Sequence, residues 1–389
     1  MKKILSIFLI SVKNILSLKK EFIIFQCHHP RLYCDNTRFL YEHLVKKGFK
    51  NCYWNTNSRK VSKYLQNKNY NYINKSENFF KFIYVVFKTK IVFDTGTKYF
   101  NPLNLISEDS DVIKVSTYHG FGPKSVPYSK KNHPLKKLEK KNHQSFDYIN
   151  FTSSFVKKKF IQNFGLIENK CLSLGFPRVD NLIDGQRNNI FSYLTNLKIA
   201  NSKIILYTPT WRPYQIKFPL NYMLGMHYDK FEKYLHDKNI YFFYSEHSIQ
   251  NFKNKPKNFS RIICIDHFKF PFYDPTLFMK QADILLNDYS ATSTEFSILK
   301  KPQLFFMPDF KRYNNYKGFL ENYKKNLIGF EVKNYKSLIY YIDKCLKSKN
   351  FYKKKFNNKL LKYQNKYYEI HNVNSSKLFE NFIKNILKF

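Results

Sequence analysis

The segment NDYSATSTEFSILKKP (287 to 302) concentrates residue types suited to binding phosphate. An apolar run, ADILLN, ends there in a turn carrying Ser290, Thr292, Ser293 and Thr294, and a helix is predicted to follow through EFSILK. A helix N-terminus presents unpaired backbone N–H groups and the positive end of its dipole, and neighbouring hydroxyls add donors. A helix cap needs only one hydroxyl. The four here favour an anion site fit for a nucleotide diphosphate over plain capping. Glu295 falls in the first turn, where its carboxylate can accept both ribose hydroxyls, and Asp288 at the strand end joins it on the nucleotide side.

Four other segments carry candidate chemistry. TYHGFGPK (117 to 124) sets His119 and Gly120 in a loop after a strand, with Lys124 placed to neutralise phosphate. Histidine titrates near neutral pH and suits general-base work, worth about 10²–10⁴-fold in rate. The bland reading is a structural loop histidine. YTPTWRP (207 to 213) ends a strand with Thr210, Trp211 and Arg212. Arg212 is either a bidentate phosphate clamp or a surface arginine stacked on the tryptophan. YSEHS (244 to 248) places His247 at the end of an apolar strand, as a reactive group or a satisfied half-buried one. Asp109 and Asp111 form an acidic pair of the kind that holds metal in other transferases, but in an acid- and serine-rich loop before a strand.

The elements that must position these residues alternate along the chain. Strands are predicted at 22 to 27, 51 to 56, 90 to 95, 112 to 120, 147 to 153 and 171 to 178. A second series is predicted at 202 to 211, 240 to 247, 261 to 266, 282 to 290 and 302 to 308. Helical patterns separate them: 37 to 48, capped by Asp35 and Asn36 and stopped by Gly48; about 76 to 87; 153 to 165; and a lysine-rich helix over 344 to 366. Strands separated by helices signal parallel sheets with crossovers. The expected fold class is α/β, with two doubly wound Rossmann-like domains facing a central cleft. Ligands of such sheets bind at the carboxyl ends of strands, where the unusual polar residues fall. The hinge is expected near 181 to 200.

A length of 389 residues suits two domains of roughly 150 to 200 residues each. With 43% hydrophobic and 19% aromatic residues, the chain is not of disordered composition. A net charge of +39 implies an anionic partner, unless the spread of lysine only reflects a compositional bias. The lysines follow no RNA-binding or zinc-finger pattern, so nucleic acid is not the expected partner. Six cysteines (Cys27, Cys34, Cys52, Cys171, Cys264, Cys345) form no C-x-x-C pair and are expected to be reduced cytosolic thiols. Cys27, His28, His29 and Cys34 are near neighbours, but zinc sites usually need a second ligand pair and none follows, so no metal site is expected. No apolar run is long enough to span a membrane. Residues 1 to 20 read as an amphipathic helix, either packed on the body or lying in a membrane surface. The basic loop SKKNHPLKKLEKK (129 to 141) is a second expected contact with anionic lipid.

Taken in order, these motifs resemble the CDP-glycerol:glycerophosphotransferase family of teichoic-acid and capsule polymerases and primases. CDNTRFLYEHL (34 to 44) is similar to its dN-x-K-x-l-y-x-x-l helix, YHGFGPK to its HGTPLK, and GFPRVDNLI (175 to 183) to its GxPRnD. YTPTWRP is similar to its aPTWR, and YSEHS to its strand ending in histidine. ILLNDYSATSTEFSILKKPQLFF is similar to its ilitDYSSvxfDyxxlxkPxxfy, and DFKRYNNYKGF (309 to 319) to its DlexYxxxRGfy. The resemblance spans about 22 to 385. It implies a GT-B-like fold with an acceptor-side domain over 21 to 185, a CDP-donor domain over 200 to 365, and a C-terminal helix over 366 to 389 that crosses back. It also implies a protein peripheral to the cytoplasmic membrane face. The implied reaction is transfer of a glycerol-phosphate or related alditol-phosphate unit from a CDP donor to a lipid-linked or glycan hydroxyl, releasing CMP.

On that resemblance His119 takes the acceptor proton. His247 and Arg212 hold the transferring phosphate, with Ser290, Thr292, Ser293 and Lys317 on the donor phosphates and Glu295 with Asp288 on the nucleotide. Gly120, Lys124, Thr210 and Arg178 support them. No cofactor is required, although magnesium is compatible. The departures are Phe121 for threonine, Lys317 for arginine, Glu295 for aspartate, and HNVNSSK (371 to 377) in place of the late DG-x-a-s-x-R. A GT-B transferase using a nucleotide sugar remains the alternative, with a nonenzymatic nucleic-acid binder behind it.

Overall fold

A computed structural model describes residues 19–96, 111–124, 136–184, 190–195, 199, 201–212, 214, 217–224, 227–245, 253–266, 269–272, 274–369 and 374–387. The first sheet contains β1 (Phe22–Phe25), β2 (Cys52–Asn55), β3 (Tyr72–Ile73), β4 (Thr89–Asp94), β5 (Ile113–Ser116), β6 (Tyr148–Asn150) and β7 (Cys171–Leu172). Their spatial order is β3-β2-β1-β4-β5-β6-β7, and every pairing is parallel. The second sheet contains β8 (Lys203–Tyr207), β9 (Ile240–Tyr244), β10 (Ile262–Cys264), β11 (Ile284–Asn287), β12 (Gln303–Phe305) and β13 (Phe330–Glu331). It is ordered β10-β9-β8-β11-β12-β13, again all parallel. Both sheets start in the middle, run to one edge, return and run to the other. The expected doubly wound α/β architecture is therefore present twice.

Parallel strands covered on both faces must be apolar at consecutive positions. FIIF of β1, ILLN of β11 and IYFFY of β9 are buried at every residue. β3 and β13 were not predicted. Each has two residues and lies at a sheet edge, too short to leave a periodic signal. The helix expected over about 76 to 87 begins at Phe79 behind an Asn78 cap, and a further helix, Arg59–Asn67, precedes it. The lysine-rich helix is two helices, Tyr335–Lys347 and Lys349–Tyr367, broken by extended Ser348.

The chain's last elements tie the two sheets together. Helix Lys349–Tyr367 anchors on the second half, where Tyr363 Oη meets Thr294 Oγ1 at 3.1 Å and Gln364 Nε2 donates to Ser297 O at 2.5 Å. Its end reaches the first half, where Thr152 Oγ1 donates to Tyr367 O at 2.7 Å. Helix Ser375–Leu387 then buries Phe379 and Ile383 in the core under β1 and β4. Asp180 accepts the backbone N–H groups of Ser375 and Ser376 at 2.9 and 2.7 Å, fixing that helix's start. Part of the divergent late motif therefore serves to dock this helix. Among the described residues no helix is long and apolar enough to cross a membrane.

Candidate active site

Both sheets direct the carboxyl ends of their strands toward the sequence motifs. The order reverses between β1 and β4 and between β8 and β11, the points where such sheets open a ligand crevice. His119 follows β5 in a loop whose turn puts Tyr118 at φ 59°. Asn36 Nδ2 donates to Tyr118 O at 2.9 Å and steadies the loop. His119 Nδ1 lies 3.1 Å from Thr95 O. A carbonyl only accepts, so Nδ1 carries the proton and Nε2 keeps its lone pair. His119 remains exposed at the cleft, but the surrounding protein disfavours the imidazolium and lowers its pKa to about 4, against the opposing charge of Asp35. A neutral imidazole with a free Nε2 is the form a general base needs at neutral pH.

The loop bearing His119 lies directly against the hydroxyl-rich turn of the other half. A Cβ at Gly122 would sit 2.9 Å from Ala291 Cα, and one at Gly120, where φ is +137°, 3.1 Å from the Arg178 guanidinium. Neither position tolerates a side chain without displacing the interface. Leu320 N–H donates to Pro123 O at 2.9 Å, and Lys124 pairs with Phe319 in an antiparallel bridge. The YHGFGPK and YKGF segments are thus stitched together across the two halves. Phe121 is buried, stacked on Tyr118 at 4.5 Å and against Phe151 and Phe176 at 5.5 Å each, so the family's small polar residue is replaced by part of an aromatic core.

The hydroxyls of the turn are mostly engaged inside the protein. Thr292 Oγ1 is 2.7 Å from Thr208 Oγ1, Ser293 Oγ donates to Ser290 O at 3.0 Å, and Thr294 is held by Tyr363. The helix itself is short, Thr292–Ser297, and its cap residue Ala291 contributes no side-chain bond. Ser290, half-buried, accepts from Thr292 N–H at 3.3 Å. Of the expected diphosphate ligands, the structure leaves Ser290 and Thr292 at the partly accessible rim and buries Ser293.

The two arginines are held by carboxylates. Arg212 is fully enclosed between Asp288 and Asp309. Its Nε and Nη2 donate to Asp309 at 3.1 and 3.0 Å, and Nη1 donates to Thr210 O at 2.6 Å and to Asp288. Asp288 also accepts from Thr210 N–H at 3.0 Å and Thr210 Oγ1 at 2.6 Å, while Tyr214 and Tyr289 hydroxyls donate to Asp309 at 2.7 and 3.0 Å. Arg212, Thr210 and Asp288 therefore build the floor under β8 and β11. Arg178 joins the halves: Nη1 donates to Asp35 Oδ1 at 3.0 Å, and Nη2 to His119 O at 2.8 Å and to Glu295. Tyr368 Oη donates to the same Glu295 oxygen at 3.2 Å, while Oε2 is buried without a hydrogen-bond partner. Burial outweighs Arg178 and lifts the Glu295 carboxyl to about 7.

Two lysines complete the anion-facing side. Burial and the like charge of Lys317 lower the Lys124 ammonium to about 8, and burial also lowers Lys317. A pair of crowded ammonium groups gains most from an incoming polyanion. His247 and Asp109 lie outside the described residues, as do residues 1–18 and 125–135. Asp111 pairs with Lys20 at 3.1 Å.

Sequence reasoning missed Asp35, Thr95, Asp274 and Asp309. Asp35 was expected to cap its helix. Instead Cys34 occupies the cap position, and Asp35, at φ 73°, faces Arg178 while its N–H donates to Asp274 at 2.8 Å. The DFKRYNNYKGF motif already contained Asp309; its arginine partner lies too far away in sequence to be read.

Residues 8–384 match the family model of the CDP-glycerol:poly(glycerophosphate) glycerophosphotransferases. The teichoic acid glycerol-phosphate primase of Bacillus subtilis (strain 168) is 26% identical over 314 residues, 79% of this chain and 76% of its own. The teichoic acid glycerol-phosphate transferase of Staphylococcus aureus (strain NCTC 8325 / PS 47) is 23% identical over 337 residues, 82% of each chain. Among solved structures, the wall teichoic acid polymerase TagF superposes with a TM-score of 0.72 at 21% identity, covering 98% of this chain and 93% of that one. That likeness extends the two-sheet GT-B-like fold to the whole described chain. With the motifs around Asp35, His119, Arg178, Arg212, Asp288 and Asp309 brought together where the halves meet and the family model matched across nearly its full length, the chain belongs to the CDP-glycerol:poly(glycerophosphate) glycerophosphotransferase family, whose members are phosphotransferases.

Proposed function

We propose that the protein transfers a glycerol-phosphate unit, or a closely related alditol phosphate, from its CDP-activated form to a hydroxyl of a lipid-linked or glycan acceptor, with CMP leaving. The observation that carries this reading is His119, its Nδ1 on Thr95 O at 3.1 Å and its Nε2 left for an acceptor, in a loop that ends at Lys124 beside Lys317. In-line transfer needs a base on the acceptor oxygen and positive charge on the transferring phosphate. Nε2 of His119 takes the acceptor proton as the new P–O bond forms. Lys124 and Lys317, with Ser290 and Thr292 at the rim, neutralise the donor phosphates. Lysine in place of arginine at 317 offers a point charge where a guanidinium would offer a fork, which suits a different or less rigidly held phosphoalcohol. Arg178 and Glu295 hold the halves in register beneath the nucleotide side. Magnesium on the diphosphate is compatible with this arrangement and is not required by it.

The same reading places the protein at the cytoplasmic face of the membrane, where a lipid-linked acceptor is met. The excess of lysine supports it, since each lysine near an anionic surface contributes about 1 kcal/mol. Mass spectrometry of the products from a panel of CDP-alditols with lipid-linked and glycan acceptors tests the chemistry. Acceptor plus one alditol phosphate, with matching CMP, is the expected result. Release of UMP or UDP from a nucleotide sugar, with no CMP from any CDP-alditol, would replace this reading with glycosyl transfer.

A further inference from the structure

We propose that Cys27, His28 and Cys34 form a zinc-binding site at the carboxyl end of β1. Each offers one ligand atom, and all three atoms lie within 4.8 Å of one another. Cys27 Sγ and Cys34 Sγ are 3.8 Å apart. Two thiolates about 2.3 Å from a tetrahedral zinc stand about 3.8 Å apart, whereas a disulfide needs about 2.05 Å. The spacing fits two ligands around an ion; without one, the Cys34 thiol donates to Cys27 Sγ, and the Cys27 thiol donates to His29 O at 3.2 Å or Leu32 O at 3.3 Å, protons that zinc binding would displace.

The third ligand is also prepared. His28 Nδ1 is buried with Asp35 Oδ2 3.4 Å from it. Zinc sites orient a histidine through a carboxylate on the ring nitrogen opposite the metal, so Asp35 on Nδ1 leaves Nε2 as the ligand. Both sulfurs are buried and His28 is half-buried; three protein ligands leave one position of a tetrahedral zinc for water. Cysteine and imidazole ligands together select a borderline-soft ion such as zinc over magnesium or calcium.

The fold explains why the spacing in the sequence hid the site. After β1 the chain turns on itself, with Leu32 N–H donating to His29 O at 3.1 Å, and enters the helix at Asp35. That turn carries Cys34 back beside Cys27. Zinc binding would release both thiol protons to solvent. It would also pin Asp35, the next residue, whose carboxylate holds Arg178 and through it the backbone carbonyl of His119. The ion would then brace the loop that carries the base without touching substrate.

The test uses the full chain purified under reducing conditions. Zinc content and competition with a chromogenic chelator should show about one high-affinity ion per chain. Cobalt(II) should give thiolate charge-transfer absorption. Cys27→Ser and Cys34→Ser should each lose the absorption band and weaken zinc binding by more than the roughly 10–100-fold that loss of an outer partner causes. Cys264→Ser should keep both. Because a variant could fail to fold, the wild-type protein supplies a second readout: chelator should lower its melting temperature and added zinc restore it. No zinc uptake by reduced wild-type protein, uptake unchanged in Cys34→Ser, or a Cys27–Cys34 disulfide persisting under reducing conditions would each overturn the site.

Discussion

Arg178 and Arg212 are both buried and both held by two carboxylates, yet they do different work. The Arg212 cluster lies wholly within the second half, and threonine and tyrosine hydroxyls fill the lone pairs of Asp288 and Asp309. The Arg178 cluster spans the two halves, and it leaves Arg178 Nε and Glu295 Oε2 buried without hydrogen-bond partners. The saturated cluster is a floor. The cluster with open positions sits where the halves meet. An arginine in a motif at a strand end is therefore not by itself a phosphate ligand; what it already binds decides its role.

Substituting each arginine separates the two roles. Arg212→Met leaves two buried carboxylates without their cation and should cost about 3–5 kcal/mol, read as a lower denaturant midpoint. Arg178→Met should cost less, about 1–3 kcal/mol, because Glu295 can take up a proton at neutral pH. Equal losses, or a larger loss at Arg178, would erase the distinction.

Glu295 makes the Arg178 cluster sensitive to pH. Its carboxyl is raised from 4.5 to about 7 by burial, against the pull of Arg178. A raised pKa means the folded state binds the proton more tightly than the unfolded chain. The stabilisation is fully present below about pH 4.5 and is lost as pH rises through about 7. Glu295→Gln should flatten that slope, seen by comparing denaturant midpoints at about pH 5 and about pH 8. An unchanged slope would mean the carboxylate is already ionised by its arginine.

If the arginines are structural, Lys124 and Lys317 are the described cations placed to hold the donor phosphates. Lys124 should then set a basic limb in kcat/KM near its pKa of about 8, with activity falling as the ammonium loses its proton. Lys124→Arg should move that limb upward, since a guanidinium stays charged. The acid limb should lie near pH 4, where His119 protonates, rather than near 6.5. A basic limb unmoved in Lys124→Arg would assign it to another group.

Much of this molecule was legible in its sequence because buried parallel strands are continuous apolar runs and the motifs sit at their ends. FIIF, ILLN and IYFFY needed no partner information to be read as strands. The two-residue strands β3 and β13 carried no period and were missed. Residue types in the site were legible, but their partners were not. Thr292, Ser293 and Thr294 look like four-fold donors with Ser290 until Thr208 and Tyr363 are seen to occupy them. Arg178 reaches Glu295 across 117 positions, and nothing local signals such a pair. Asp35 read as a helix cap because the sequence does not show its left-handed backbone.

In the proposed reaction His119 Nε2 removes the acceptor proton while other groups bind the donor. The direct test is paired measurement on His119→Ala: CMP release from CDP-glycerol with acceptor present, and affinity for CDP-glycerol without it. Transfer should fall by about 10²–10⁴-fold with donor affinity within a few fold of wild type. Near-normal turnover would remove His119 from the mechanism, and a loss of donor affinity equal to the loss of rate would make it a binding residue instead.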